Sequence, residues 1–235
     1  MNLLTLSVET SGMTGAVALR RAGQTIESVS LQQAGRRHAQ TLVAEVDAML
    51  RRAGLSPQQL DVIAASIGPG SFTGLRVGVV FAKTLAYAIG CRLTAVDTFR
   101  AIAAACPADV SEVFVISDAQ RGDLFVGRYE LAHAASSGPI RVGEITIEPA
   151  DTFCQRVREI AASGSDIAIT GPAAATVQAA FPSAVRVITA DLHHPQANFV
   201  AKLGEQQALA GELVDPWQLE PFYLRRSAAE EKAAS

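Results

Sequence analysis

The order in which hydrophobic periodicity changes along this chain limits its fold more than any single motif. Three short segments of strand character open the sequence, Leu3–Glu9, Gly15–Arg20 and Thr25–Leu31, separated by turns at Ser11-Gly12 and Ala22-Gly23. From His38 the period lengthens. Leu42, Val46, Met49, Leu50 and Ala53 fall on one helical face, and Gly54 supplies a stop. A buried strand, Val62–Ile67, then runs into a glycine turn at Gly68–Gly70, a helix Leu75–Ile89 ended by Gly90, a strand Leu93–Val96 and a short helix Thr98–Cys106. Beyond Pro107 the order recurs: strands Val113–Ile116, Asp123–Tyr129 and Ile140–Ile147, a helix capped by Asp151 or Thr152, strand Ile167–Ile169, helix Ala173–Ala180, strand Val185–Ile188 and helix Gln196–Ala210. Two successive βββαβα units predict an α/β fold with mixed sheets, duplicated in element order and not in residues. The expected division is a first unit over residues 1–106, completed by 211–235, and a second over 107–210.

Composition narrows the function. Hydrophobic residues make up 49% of the chain and charged residues 18%, enough for a packed core. No apolar run reaches the roughly 18 residues of a membrane span. The opening residues carry no basic stretch and meet an acid at Glu9, so they read as a strand and not as a signal peptide. Cys91, Cys106 and Cys154 are far apart with no CxxC pair, which fits a reducing, cytoplasmic setting and neither a disulfide framework nor a zinc knuckle. A net charge of -3 excludes the broad positive field that drives independent nucleic-acid binding. The arginine doublets Arg20-Arg21, Arg36-Arg37, Arg51-Arg52 and Arg225-Arg226 are read as solvated surface.

The most specific stretch is Ile67-Gly68-Pro69-Gly70-Ser71-Phe72-Thr73-Gly74-Leu75-Arg76-Val77-Gly78. It is a strand end, a tight turn and a helix start, with Ser71 or Thr73 able to cap. On the residues alone it is a packed turn, or an anion site using the exposed amides of a helix start. It is not a P-loop, because no Gly-Lys-Ser/Thr follows. Catalytic constellations are absent: Ser71 is not in GxSxG, and His38, His133, His193 and His194 make no ligand or base pattern. Asp118, ahead of Arg121-Gly122, is either an acid–base group or a cap on a turn's backbone.

GPGSFTGLRVG resembles the signature of the TsaB (YeaZ-type) family. So do Leu6-Ser7-Val8-Glu9-Thr10-Ser11, Asp61-Val62-Ile63-Ala64, Ser117-Asp118-Ala119-Gln120-Arg121-Gly122-Asp123-Leu124-Phe125 and the closing Pro221-Phe222-Tyr223-Leu224-Arg225. The resemblance implies an actin-like ATPase fold, the superfamily of acetate kinase, Hsp70 and actin. It also implies a role without catalysis of its own: supporting a TsaD-type paralogue, with a TsaE-type ATPase, in making N6-threonylcarbamoyladenosine at position 37 of tRNAs from threonylcarbamoyl-adenylate. The tRNA would be reached through the complex; a homodimer of the lone protein is left open. The catalytic paralogue holds a metal through two histidines at i and i+4; here Leu42 follows His38, so no metal is expected. Glu9, Thr10 and Ser11 with Gly70, Ser71 and Thr73 match a vestigial nucleotide or anion site, giving weak ATP or ADP binding at most. Gly171-Pro172-Ala173-Ala174 is a thin version of an adenosine loop. The alternative is a small-molecule kinase or ATPase with Glu9 and Asp118 around Mg-ATP; a metallopeptidase lacks its second histidine. The partner surface implied by the family falls on the helix after the signature, at Arg76, Val80, Lys83, Thr84 and Tyr87, and on Leu42–Arg52.

Overall fold

The computed structural model describes residues 2–31, 38–131 and 138–225, which fall into two compact units. The first comprises the chain up to Ala101 together with Pro195–Phe222. Its sheet contains β1 (Leu4–Glu9), β2 (Ala16–Arg21), β3 (Gln24–Ser30), β4 (Val62–Gly68) and β5 (Arg92–Asp97), in the order β3-β2-β1-β4-β5. β1–β2 and β2–β3 are antiparallel; β1–β4 and β4–β5 are parallel. Alternation along the strands sorts side chains by face. Leu4, Leu6, Val8, Val17, Leu19, Ile63 and Leu93 join α1 (His38–Arg52) and α2 (Phe72–Ile89) in one hydrophobic core. Leu42, Val46, Met49 and Leu50 supply the buried face of α1, as their spacing predicts.

The other face of the same sheet is different in kind. Thr5, Ser7, Ala18, Ala64, Ser66 and Thr94 are small, mostly hydroxylic and buried beneath α6 (Ala197–Ala210). Gly204 of α6 rests on Thr94 Oγ1 and Ala64, Ser7 Oγ donates to Ala197 O at 2.6 Å, and Arg20 Nε meets Glu205 Oε2 at 2.6 Å. The sequence reading put α6 in the second unit, following chain order; packing on β1, β2, β4 and β5 makes it part of the first. Arg20 is likewise a correction, since it is sheltered and ion-paired and not solvated; Arg225 is paired as well, with Asp123. Arg51 and Arg52 are exposed and pair with Asp47 and Glu27, while Arg36, Arg37 and Arg226 lie outside the described residues.

The second unit comprises Ile102–His194 and the tail from Tyr223. The short α3 (Thr98–Ala103) straddles the division. The unit contains β6 (Glu112–Asp118), β7 (Asp123–Glu130), β8 (Ile140–Arg141), β9 (Thr146–Pro149), α4 (Ala150–Ala162), β10 (Ala168–Thr170), the single-turn α5 (Ala174–Val177) and β11 (Arg186–Val187). The strand order is β11-β10-β6-β7-β8, with β9 also on β7. Antiparallel first and second strands, a parallel fourth and a parallel fifth repeat the plan of the first unit. This is the duplicated α/β arrangement with mixed sheets expected from the element order. Phe114, Ile116, Leu124, Val126, Phe153 and Val157 form its core, where Phe153 meets Phe114 edge-on at 5.8 Å.

Three local expectations change. Ile140–Ile147 is two short strands, broken at Gly143, which has φ 75°. Ala173–Ala180 is one α turn continued as a 3-10 turn over Gln178–Ala180. The fourth helix begins at Ala150, so Pro149 and not Asp151 or Thr152 occupies the cap position.

The 18-residue α2 has a mean hydropathy of 1.3, long and apolar enough to span a membrane by length and composition. Arg76 and Lys83 hide this in the sequence by interrupting the apolar run. In the fold its Gly74, Leu75, Gly78, Val79, Ala82 and Ala86 face is buried, with β1, β4 and β5 among its neighbours.

Candidate functional site

Five of the six residues expected at a vestigial anion site, Glu9, Thr10, Ser11, Gly70 and Ser71, come together as a clasp. β1 ends at Glu9, and the chain turns through Thr10 and Ser11 directly against the start of α2. Thr10 Oγ1 donates to Gly74 O at 2.8 Å, and Ser71 N donates to Ser11 O at 2.7 Å. Ser71 caps the helix, its Oγ accepting from Gly74 N at 3.3 Å. Gly70, Gly74 and Gly78 stand at i, i+4 and i+8, on the side of the turn and helix that meets Thr10 and Ser11. A Cβ on Gly70 would lie 2.6 Å from Ser11 Cβ, and one on Gly74 or Gly78 would overlap Thr10 O or Thr10 Oγ1. The glycines of the signature thus let a helix lie directly on a loop. Thr73 is exposed on the outer side and takes no part.

Glu9 is fully buried. Its Oε1 accepts from Ser11 N and Ser11 Oγ, both at 2.5 Å, while Oε2 has no hydrogen-bonding partner. Ser66 Oγ, on the adjoining strand β4, is buried and acts on the same carboxyl, joining Ser11 in favouring its ionised form. Burial pushes the Glu9 carboxyl above its ordinary value of 4.5, against the opposing pull of the Ser11 hydrogen bonds.

A nucleotide phosphate with its magnesium, as the resemblance implies, needs free amides and an ionised acid. Here Ser11 N, Ser71 N and Gly74 N already donate within the clasp, and desolvation disfavours the ionised form of Glu9. The adenosine loop is similarly engaged: Ala173 N donates to Ile116 O, Ala174 N donates to Gly171 O, and a Cβ on Gly171 would overlap Ile116 O. These residues do not fit the group.

The Glu9 environment has a measurable consequence. A carboxyl whose folded pKa is raised contributes stability that is fully present below its unfolded pKa and is lost as pH climbs towards the folded value. Glu9→Gln mimics the protonated form. It is expected to match wild type near pH 4 and to be the more stable protein at pH 8, with the gap opening above pH 4.5. Denaturant titrations of both proteins from pH 4 to 9 check this; a gap that does not vary with pH contradicts it.

On α2 the predicted stripe is open. Val80 is 58% exposed, Tyr87 63%, and Arg76, Thr84 and Thr73 are exposed beside them. Arg76 stacks over Phe72, 4.0 Å from the ring centroid. Lys83 is the exception: half-buried, it donates to Leu219 O at 3.2 Å. Sequence reading missed Trp217, 71% exposed and edge-on to Tyr87 at 4.9 Å; as the chain's lone tryptophan it was the available signal.

Asp118 is a turn cap. Its Oδ1 accepts from Gln120 N at 2.7 Å and its Oδ2 from Gln120 Nε2 at 3.0 Å, on an exposed hairpin. That hairpin is strained: Gln120 (φ 66°), Arg121 (φ 61°) and Gly122 (φ 84°) are all left-handed, and the two non-glycine residues cost about 1 kcal/mol or more each. His193 is buried with Nε2 2.7 Å from Ile188 O, while the side chain of His38 and all of His133 lie outside the described residues. Leu42, four residues on from His38, is in the core. Among the described residues, no cluster of three or more His, Cys, Asp or Glu could hold a metal.

Residues 25–233 match the family model described as TsaD, tRNA N6-adenosine threonylcarbamoyltransferase. The chain is 26% identical over 228 residues to the tRNA threonylcarbamoyladenosine biosynthesis protein TsaB of Bacillus subtilis, covering 97% of this chain and 96% of the relative. Identity to the Haemophilus influenzae protein of the same name is 26% over 235 residues, covering 98% and 97%. The solved structure of YeaZ from Pseudomonas aeruginosa superposes with a TM-score of 0.78 at 26% identity, covering 94% of this chain and all of that one. The glycine clasp, the duplicated sheets and these matches have one reading: the chain belongs to the TsaD-type threonylcarbamoyltransferase family and, within it, to the TsaB (YeaZ-type) branch.

Proposed function

We propose that this protein is a non-catalytic subunit in the biosynthesis of tRNA threonylcarbamoyladenosine, supporting a TsaD-type transferase that acts with a TsaE-type ATPase at position 37. The names of its relatives support the pathway. The observation that carries the non-catalytic reading is the clasp, because the donors and the acid that chemistry would need are engaged with one another. The tRNA is reached through the assembled complex, in keeping with a net charge of -3.

The partner surface is the open stripe of α2: Arg76, Val80, Thr84 and Tyr87, with Lys83 at its edge. An apolar centre rimmed by arginine and tyrosine has the composition of an interface core. One reconstitution tests role and surface together. The transferase, the ATPase and this chain, supplied with threonylcarbamoyl-adenylate and tRNA, are expected to give modified adenosine, and omission of this chain to remove most of it. Modification by this chain without the transferase sinks the role. Val80→Glu is expected to weaken binding to the transferase by about 2 kcal/mol, roughly 30-fold, because a charge is carried into a desolvated contact. Its own melting temperature stays within about 2 °C of wild type, since surface substitutions are mild. Unchanged binding moves the interface elsewhere.

A further inference from the structure

The left-handed turn between β6 and β7 is held from two directions. Within the hairpin, Ala119 N donates to Asp123 O at 2.9 Å and Asp123 N to Gln120 O at 3.1 Å. From outside, Ala150 N donates to Gly122 O at 3.0 Å, and one guanidinium reaches across the turn. Arg225 donates to Ala119 O and, at 3.3 Å, to Gln120 O, and its Nη2 meets Asp123 Oδ2 at 2.6 Å. It therefore bonds the residue before the left-handed stretch, the first residue within it and the residue after it. Backbone in a sparsely populated conformation persists only where its surroundings over-determine it. Here, beside the Asp118 cap and the Ala150 amide, one of the determining groups comes from a residue more than 100 positions away in sequence.

That residue lies in a segment of partial burial. None of residues 221–225 is fully buried, and the preceding attachment is the backbone hydrogen bond from Phe222 N to Ile67 O at 2.7 Å. Beyond the partly buried Pro221, Phe222 and Leu224, the tail is fastened by directional polar contacts, which form or break as units. Strain in the turn and the charge-assisted bonds that oppose it have comparable magnitudes, which makes a two-state element.

We infer that Arg225 is a releasable pin: the C-terminal tail holds the 118–123 turn in its left-handed form, and withdrawal of the tail lets the turn relax. The presentation of Asp118, Gln120 and Arg121 at the hairpin tip thereby depends on the position of Arg225.

Amide hydrogen exchange on the full-length protein tests this. In Arg225→Gln, exchange at Ala119 and Asp123 is expected to rise at least tenfold, while the amides of Ala168–Thr170 in β10 keep their wild-type rates. Adding Gln120→Gly and Arg121→Gly to Arg225→Gln removes the conformational penalty and is expected to restore at least threefold of the lost protection. Exchange at Ala119 and Asp123 within twofold of wild type in Arg225→Gln overturns the pin. An equal rise in β10 also overturns it, because Arg225 would then support the unit as a whole. Failure of the glycine pair to restore protection removes strain as what the pin opposes.

Discussion

Gly74→Ala is expected to destabilise the first unit by roughly 3 kcal/mol or more, enough to unfold a marginal domain. The added Cβ would overlap the carbonyl oxygen of Thr10. That oxygen belongs to backbone directly following β1, the middle strand of the sheet, so no flexible side chain can swing aside. Gly12→Ala is the matched comparison. It lies in the same loop, and its nearest neighbours would be backbone atoms of Thr14 at 3.7 and 3.9 Å, ordinary packing distances. Denaturant unfolding of the two variants is expected to separate them clearly. Equal, small losses would mean that helix and loop slide apart cheaply and that the signature glycines have another purpose.

A comparable loss is expected from Glu205→Ala, about 3 kcal/mol. The Arg20–Glu205 pair has side-chain exposures of only 14% and 9%, so truncating one partner leaves a sheltered cation without a counter-charge. The remaining access of Arg20 to water keeps the estimate at the lower end of the roughly 3–5 kcal/mol known for buried pairs. The double replacement Arg20→Met with Glu205→Leu removes both charges at similar volume and is expected to recover most of the stability. A double-mutant cycle on denaturation midpoints measures the coupling. Additive losses would mean that the pair does not interact energetically despite its 2.6 Å separation.

What the sequence revealed was whatever is encoded over one or two turns of chain. Leu42, Val46, Met49 and Leu50 announce the buried face of α1, and Ser71 announces the start of α2, because both effects are local. The glycine spacing at 70, 74 and 78 was visible, but its meaning was not, since the loop it accommodates lies some sixty residues earlier. Lys83 read as part of an open stripe because nothing nearby in sequence indicates the carbonyl of Leu219. Arg20 and Arg225 looked like solvated doublets for the same reason: their acidic partners, Glu205 and Asp123, are set by tertiary packing alone. The placement of α6 failed most completely. Its buried face is legible in Val200, Leu203 and Ala208, but the sheet that it covers is not, since Gly204 meets Ala64 and Thr94 more than a hundred residues earlier.

The discontinuity of the first unit sets a schedule for synthesis. A ribosome releases β1 to β5 long before it reaches α6, with all of Ile102–His194 in between. At about 5–20 residues per second, the sheet waits roughly 5–20 s for its covering helix. During that interval one face is already sealed by α1 and α2, while the face destined for α6 stands in water. Apart from Leu3 and Val62, which meet Ala208 of α6, it is lined by Thr5, Ser7, Ala64, Ser66 and Thr94, smaller and more polar side chains than those of the opposite face. A nascent chain built in this way offers chaperones and neighbouring chains little to adhere to while it waits, and any message truncated before residue 195 yields a sheet that never receives its lid.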